Sequence, residues 1–293
     1  MNAKLSVHLR RALVNQAVNL PRKNIGIALS GGVDSCTLLA ACLRASVRPI
    51  VLSYTPDTHT STDFLYAKHN AEKLGLPFIP VHFPMTREGF EGAARRVIRL
   101  GYKTKMQVES MAPMTAIAKT ASKYGVEVLL TGDQADGYYI NGNWISRNYD
   151  RARGIPGIER KHVRYDQDAK RIDDLRHIYW TEDRGNCLAV QKLCAKYGVQ
   201  AVMPYRFHRI RDAFAGKHWR EVNEPRLKEP AWQAFPEMGL ERTADIWVRP
   251  TPMNLHRGDT MFAQVMGQTL MGAMPGPWRT PTGLYSAMAR GEV

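Results

Sequence analysis

Short apolar runs alternate with amphipathic segments through the first half of the chain. Runs of this kind are typical of strands buried on both faces of a parallel sheet, and the segments between them carry apolar residues at helical spacing. A further amphipathic helix is predicted over residues 5–18, before the first run. The pattern predicts strands over residues 25–29, 49–54, 78–83 and 126–131, and helices over residues 36–45, 64–74, 88–100 and 111–124.

The alternation stops after residue 143. Residues 147–170 are charged, contain glycines and a proline, and show no clear period, which predicts a loop or mobile flap. Helices are predicted over residues 173–197 and 207–219, and prolines and glycines break the tail after residue 250. We therefore expect an α/β fold with a doubly wound, mainly parallel sheet in residues 1–145, followed by a basic loop, a helical C-terminal annex and an irregular tail in residues 146–293.

The composition is typical of a globular protein, because hydrophobic residues make up 44% of the chain and charged residues 23%. No run approaches the roughly 20 apolar residues that a membrane span requires. The first residues also lack the apolar core of a signal peptide, so we expect a cytoplasmic protein without membrane contact. The four cysteines form no CxxC pair and are expected to be reduced.

The chain is strongly basic, with 41 lysines and arginines against 27 acidic residues and a formal net charge of +14. The excess is largest over residues 147–176 and 206–220, where aromatic residues lie among the bases. This pattern is typical of a solvated basic face, and it also fits a surface that binds nucleic acid. ATP is another polyanion that such a field attracts. Charge alone leaves these interpretations open.

A glycine-containing loop with the sequence SGGVDS, residues 30–35, joins the first predicted strand to its helix. Ligands bind at the carboxyl ends of parallel strands, and Gly31 and Gly32 leave the main-chain N–H groups open to a phosphate. Ser30 and Ser35 add hydroxyl donors. Asp34 would repel a phosphate unless a cation lay between them, so the sequence predicts a Mg²⁺ ion and a bound pyrophosphate group.

This loop differs from both common phosphate-binding motifs. No lysine follows the glycines as in G-x-x-x-x-G-K-[ST], and Gly31 and Gly32 are adjacent, unlike those of G-x-G-x-x-G. The pattern S-G-G-x-D-S after a buried strand resembles the N-type ATP pyrophosphatases, or PP-loop enzymes, which split ATP between its α and β phosphates. The resemblance implies an ATP-using enzyme in which the end of the second strand, at Ser53 and Tyr54, holds the adenine through main-chain contacts. A packing role at the end of that strand is an equal alternative for these two residues.

A second motif, TGDQADGY at residues 131–138, ends a later predicted strand, so that Asp133 and Asp136 would project over the same sheet edge as the glycine loop. It resembles the S-G-E-G-A-D-E-L-F-G-G-Y segment of the asparagine synthetases. Residues 181–186 and 202–205 resemble two further stretches of that family, so the resemblance spans residues 25–249. It implies that Gly132 belongs to the nucleotide site and that Asp136 is a second Mg²⁺ ligand.

In the asparagine synthetases a glutamate that acts as general base toward the incoming amine stands at the position of Asp133. The aspartate is one methylene shorter, so it is expected to be a base for a different nucleophile or an additional metal ligand. A structural role, in which Asp133 and Asp136 cap a following turn, is the alternative. The resemblance therefore leaves three roles open for Asp133: a general base, a metal ligand or a cap of the following turn.

The chain departs from the family pattern in three further places. It opens without a glutaminase domain, so ammonia would come from solution or a separate glutaminase chain, or be replaced by a bulkier amine. The lysine that steadies the adenylated intermediate in the family aligns with Thr251. Candidates for the missing positive charge are Lys228, Arg249 and Arg257. Gly137 replaces the second glutamate of the acidic motif and would open room beside the tyrosines that follow it.

The leading hypothesis is an asparagine-synthetase-like, ATP-dependent carbon–nitrogen ligase that adenylates a small-molecule carboxylate for attack by ammonia or an amine. A second hypothesis directs the same ATP chemistry at a base of tRNA or DNA, which the basic stretches favour. A third is a nucleotide-binding regulator without catalysis, suggested by the missing lysine and the altered acidic motif. Release of pyrophosphate would exclude the third.

Overall fold

The computed structural model of the protein describes residues 2–21, 23–140, 169–183, 186–238, 246, 248, 262–274 and 276–293. Within these residues a single sheet has five strands: β1 (Ile25–Ala28), β2 (Ile50–Pro56), β3 (Phe78–Phe83), β4 (Val128–Leu130) and β5 (Gln200–Val202). Their order is β3-β2-β1-β4-β5, and all neighbouring strands are parallel. The predicted α/β class and parallel sheet are confirmed.

Helices cover both faces of the sheet, as expected of a doubly wound fold. Those before β4 are α1 (Asn2–Val18), α2 (Val33–Arg44), α3 (Thr62–Lys73), α4 (Arg87–Ile98) and α5 (Lys105–Lys123). Those after it are α6 (Ala135–Tyr139), α7 (Ala169–Thr181), α8 (Cys187–Ala195), α9 (His208–Phe214), α10 (Trp219–Asn223), α11 (Glu229–Ala234), α12 (Phe262–Ala273) and α13 (Pro281–Arg290).

Two hydrophobic cores form, one on each face. Buried residues of α1, α2, α3, α9 and α11 make the first, and buried residues of α4, α5, α8, α12 and α13 make the second. All four cysteines are buried thiols outside any disulfide, and burial raises the pKa of the Cys42, Cys187 and Cys194 thiols to about 12. Every helix in the described part of the chain is too short or too polar to span a bilayer.

The structure corrects several predicted boundaries. Strand β5 was not predicted, and it adds residues from the second half of the chain to the sheet. The helix predicted over residues 173–197 is two helices, because Asp183 has a positive φ of 50° and accepts hydrogen bonds from the Leu188 and Ala189 amides at the start of α8. A capping box at Thr104 and Gln107 starts α5 earlier than predicted. The domain boundary after residue 145 stays a prediction, and residues 147–168 of the predicted flap lie outside the described part.

Candidate active site

The strand order reverses between β1 and β4, which places a switch point at the carboxyl edge of the sheet. β1 pairs with β2 on one side and with β4 on the other. Crevices at such switch points are where doubly wound sheets bind ligands. The glycine loop follows β1 and the acidic segment follows β4, so both motifs lie at this crevice.

The glycine loop is held in shape by its own side chains. Gly31 has a φ of 69°, and a Cβ atom there would lie 2.4 Å from the Cβ of Tyr66, so only glycine fits. The Ser35 hydroxyl donates to the Gly32 carbonyl at 3.0 Å and lies 3.3 Å from the Ser30 hydroxyl. Helix α2 begins directly after Gly32, so its free amides and positive dipole end face the loop.

The acidic segment lies against the glycine loop. A Cβ atom built on Gly132 would lie 3.5 Å from the Ser35 nitrogen, so a side chain at this position would touch the glycine loop. The Thr131 hydroxyl donates to Asp133 Oδ2 at 2.7 Å and fixes the direction of that carboxylate. Gln134 adopts a left-handed conformation and starts the short helix α6, whose first turn carries Asp136. The segment therefore presents two carboxylates beside the loop.

Lys228 joins the two loops at their centre. Its ammonium group forms an ion pair with Asp34 Oδ2 and lies 2.7 Å from Asp136 Oδ1. The side chains of Lys228 and Asp34 are 11% and 15% exposed, whereas that of Asp136 is 58% exposed, so the cluster opens to solvent on the Asp136 side. Asp34 Oδ1 is buried without a hydrogen-bond partner among the described residues. One cation thus connects acids that lie about a hundred residues apart.

Burial and charge shift the ionisation of these groups. Burial raises the pKa of Asp34 to about 6, with the negative charge of Asp136 adding to the effect and the pairing with Lys228 opposing it. Burial alone would lower the pKa of Lys228, but the attraction of Asp136 and Asp34 raises it above its usual value. For Asp133, burial raises the pKa to about 6 against the Thr131 hydrogen bond. Asp133 is therefore poised to take up a proton near neutral pH.

The donor set at the crevice fits Mg²⁺. Asp34 and Asp136 offer carboxylate oxygens to one cation, and Asp34 Oδ1 is buried and unpartnered among the described residues. In the part of the chain that the structure describes, no group of three or more His, Cys, Asp or Glu side chains is placed to hold a metal ion. Magnesium is usually held by one or two carboxylates, water and substrate phosphates, so two acids are sufficient.

The structure brings only some of the predicted site residues together. It brings together Asp34, Asp136 and Lys228, and it sets Gly132 beside Ser35. Ser53 is buried inside β2 rather than near its end, because that strand continues to Pro56 instead of stopping at residue 54. It still lies level with the glycine loop, since Leu52 pairs with Ala28. Arg249 and Arg257, the other candidates for the missing charge, lie outside the described residues.

Three residues that lie next to Asp34 and Lys228 were not assigned from the sequence. Tyr205 donates its hydroxyl hydrogen to the Asp34 carbonyl, and Tyr139 lies with its ring centre 6.0 Å from the Lys228 ammonium. Asn223 accepts from the Lys228 amide at 3.2 Å and donates to the Tyr139 carbonyl at 2.8 Å. Tyr205 lies in the segment of residues 202–205 that resembles the family, and this resemblance was the only sequence feature that pointed to it. Nothing in the local sequence pointed to Asn223.

Gly137 does not leave an open space. A Cβ atom at this position would lie 2.3 Å from Cδ1 of Tyr179, whose side chain from α7 fills the volume. Tyr179 is buried and packs in a small cluster with Ile172 and Leu175. The room expected from the loss of the family's glutamate is therefore taken by a tyrosine from the second half of the chain.

The basic stretch at residues 206–220 begins shortly after β5, which ends at this sheet edge at Val202. Arg206 pairs with Asp183, and the Trp180 ring lies 5.2 Å from the Arg206 guanidinium and 5.5 Å from that of Arg211. Arg211 and Arg209 are exposed. Arg176, from the other basic stretch, is instead buried and donates to the carbonyls of α9 and the following loop, so it is not part of a solvated face.

Comparison with known proteins identifies the sequence pattern. The profile of asparagine synthase matches residues 8–240. Two solved structures are similar: the U34-tRNA thiolase NcsA from Methanococcus maripaludis with its [4Fe-4S] cluster (12% identity, 98% of this chain and 80% of that chain, TM-score 0.46), and an NMN synthetase from Francisella tularensis (15% identity, 86% and 99%, TM-score 0.36). No curated protein sequence matches significantly.

Proposed function

The chain belongs to the asparagine synthase family, and from this premise we propose that it is an ATP-dependent amide ligase that forms AMP and pyrophosphate. The observation that carries the proposal is the meeting of Asp34, Asp136 and Lys228 at the switch point. A glycine loop alone would fit many nucleotide sites. A glycine loop with two cation-bound carboxylates and a third acid beside it fits adenylation followed by proton removal.

The first step joins a substrate carboxylate to AMP. A carboxylate oxygen attacks the α-phosphorus of ATP, the bond to the bridging oxygen breaks, and pyrophosphate leaves. The amides at the start of α2 and the hydroxyls of Ser30 and Ser35 would bind the pyrophosphate, and Lys228 adds positive charge. Asp34 and Asp136 would hold Mg²⁺, which when bound neutralises the charge of the departing group.

The second step forms the amide bond. Ammonia or an amine attacks the carbonyl carbon of the acyl-adenylate, and AMP leaves with the electrons of the broken C–O bond. Asp133 would accept the proton that the nitrogen loses. Its pKa of about 6 keeps it ionised at neutral pH, yet near enough to the working pH for an efficient general base.

Product analysis tests the proposal. The protein is incubated with Mg-ATP and with separate pools of amino acids plus ammonium, other amines, and nucleic acids, and AMP and pyrophosphate are measured. AMP and pyrophosphate in an amino-acid or amine pool support the ligase, whereas ADP and orthophosphate would refute adenylation. Asp34→Asn should abolish product, and Asp212→Asn, which changes an exposed residue of α9, should retain it.

A second candidate function is supported by exposed cations that follow β5 in the chain. Arg209 and Arg211 follow β5 at the catalytic edge, and the chain carries a net charge of +14. A tRNA or DNA strand held there would bring a base to the adenylating site. This second function predicts that the protein binds tRNA or single-stranded DNA with an affinity that falls steeply as salt is added. It also predicts that AMP is released only in the nucleic-acid pool. No AMP in any pool would leave the nucleotide-binding regulator.

A further inference from the structure

Lys228 occupies the position between Asp34 and Asp136 that the proposed function gives to a metal ion. Its ammonium group contacts one oxygen of each carboxylate. Asp34 is largely buried and Asp136 is half-exposed, and two carboxylates that share a site repel each other, so a cation between them stabilises both negative charges. The chain supplies that cation itself, on a side chain 194 residues from Asp34.

The position of Lys228 is fixed by its backbone. The residue has a positive φ of 64°, a conformation that costs a lysine free energy, directly before α11. Its amide donates to Asn223 Oδ1, and Asn223 Nδ2 donates to the carbonyl of Tyr139 on α6, the helix that carries Asp136. The buried Asn223 therefore ties the lysine backbone to the helix of its own acidic partner, which maintains the strained conformation.

We propose that Lys228 is an internal cation that competes with divalent metal for Asp34 and Asp136, so that metal binds only when nucleotide phosphates draw the lysine away. The inference rests on the proposed function, because it assumes that these two acids are the metal ligands. A divalent ion alone must displace a paired ammonium group and leave it buried without a partner, which is costly. A metal–nucleotide complex brings phosphate oxygens that give the ammonium a new partner.

Metal affinity without nucleotide tests this competition. Titration with Mn²⁺, followed by calorimetry and by the loss of the free-ion EPR signal, compares the wild type with Lys228→Met. We expect the variant to bind at least about tenfold more tightly, equivalent to about 1.4 kcal/mol. Its melting temperature should be lower than that of the wild type without metal and should rise on addition of Mg²⁺. The double variant Lys228→Met with Asp136→Asn should lose the gain.

Lys217→Met is the matched control, because Lys217 forms a half-buried ion pair with Glu221 and, among the described residues, no ion pair with Asp34 or Asp136. Its metal affinity should equal that of the wild type. Equal metal affinity of wild type and Lys228→Met would overturn the proposal. So would a gain that persists in the double variant. If Lys228→Met fails to fold even with metal, Lys228→Gln, which keeps donors but loses the charge, carries the same comparison.

The outcome is separate from that of the ligase proposal, because the titrations involve no turnover. Formation of AMP and pyrophosphate by the wild type, with no gain in metal affinity for Lys228→Met, would refute the competition and leave the ligase standing. A gain in metal affinity with no AMP in any substrate pool would support the competition and refute the ligase.

Discussion

Tyr205 donates its phenolic hydrogen to the main-chain carbonyl oxygen of Asp34 across 3.0 Å. Tyr205 follows β5 and is fully buried, so this bond connects the edge strand of the sheet with the start of α2. A hydrogen bond of this kind contributes about 1 kcal/mol. Tyr205→Phe should lower the free energy of unfolding by about that amount and raise the KM for ATP, because the Asp34 backbone loses a support.

Urea denaturation and steady-state kinetics check this prediction. Tyr285→Phe is the matched control, since the Tyr285 hydroxyl donates to the buried Glu109 at 3.1 Å in the other core. That variant should lose stability without a change in KM. A KM for ATP that stays at the wild-type value in Tyr205→Phe would mean that the bond only stabilises the fold.

Gly31 should tolerate no side chain. Alanine at φ 69° is strained, and its Cβ would overlap that of Tyr66, so we expect Gly31→Ala to cost roughly 3 kcal/mol and to abolish nucleotide binding. Thermal unfolding with and without ATP measures both effects. Gly198→Ala has the same backbone strain at φ 72° but no atom within 4 Å, so it should cost about 1 kcal/mol and keep the ATP-induced rise in melting temperature. Similar losses in the two variants would contradict the steric argument.

Asp133→Asn should stabilise the protein at high pH only. Burial raises the pKa of Asp133 from 3.8 to about 6, so the folded state holds the proton more tightly than the unfolded chain. The free energy of unfolding therefore falls as the pH rises through this window, and the penalty is complete above it. Removing the charge should add roughly 3 kcal/mol at pH 8 and little at pH 4. Urea denaturation at both pH values measures the difference.

The Asp133→Asn variant should also lose amide formation if Asp133 is the general base. The same substitution would then raise stability and lower activity. Asp212→Asn, in an exposed ion pair with Arg211, is the control and should change stability little at either pH. A gain in Asp133→Asn that is equal at pH 4 and pH 8 would show that ionisation is not its cause.

Gly137 and Tyr179 should behave as one packing unit. Gly137→Ala places a methyl group 2.3 Å from the Tyr179 ring and should cost roughly 1–3 kcal/mol. Combined with Tyr179→Ala, which removes the ring, the alanine at 137 should cost much less, and a double-mutant cycle measures that coupling. Gly272→Ala, in helix α12 with no atom within 4 Å, should be neutral or stabilising. Additive losses would exclude direct contact.

The fold was predictable where local pattern and tertiary environment agree. The runs that became β1, β2, β3 and β4 are apolar and lie between helical segments, so their identity follows from the sequence. β5 has only three residues, one of them the exposed Gln200, and its strand conformation depends on pairing with β4. The break at Asp183 depends on its positive φ and on the hydrogen bond that its side chain accepts at the start of α8. The apolar spacing on both sides is helical, so no sequence pattern indicated the break.

The site was predictable only in part. Asp34 and Asp136 follow from the rule that ligands gather at the carboxyl ends of strands, because each lies shortly after a predicted strand. Lys228 appeared in the sequence as one of three cations that could replace a missing charge. Its contact with Asp34 spans 194 residues, and no local period encodes such a contact. Asn223 matters only because it holds the backbone of Lys228, so no sequence pattern could have predicted its role.

The cation that balances the acids comes from a late part of the chain. Strand β5 completes the sheet at Val202, well before Lys228. When a chain is synthesised from its amino terminus, all five strands are therefore complete before Lys228, the cation that pairs with the two carboxylates, has been added. Until α11 docks, Lys228 does not offset the repulsion between the two carboxylates, so the last segments of the proposed site to be synthesised are also the ones that neutralise it.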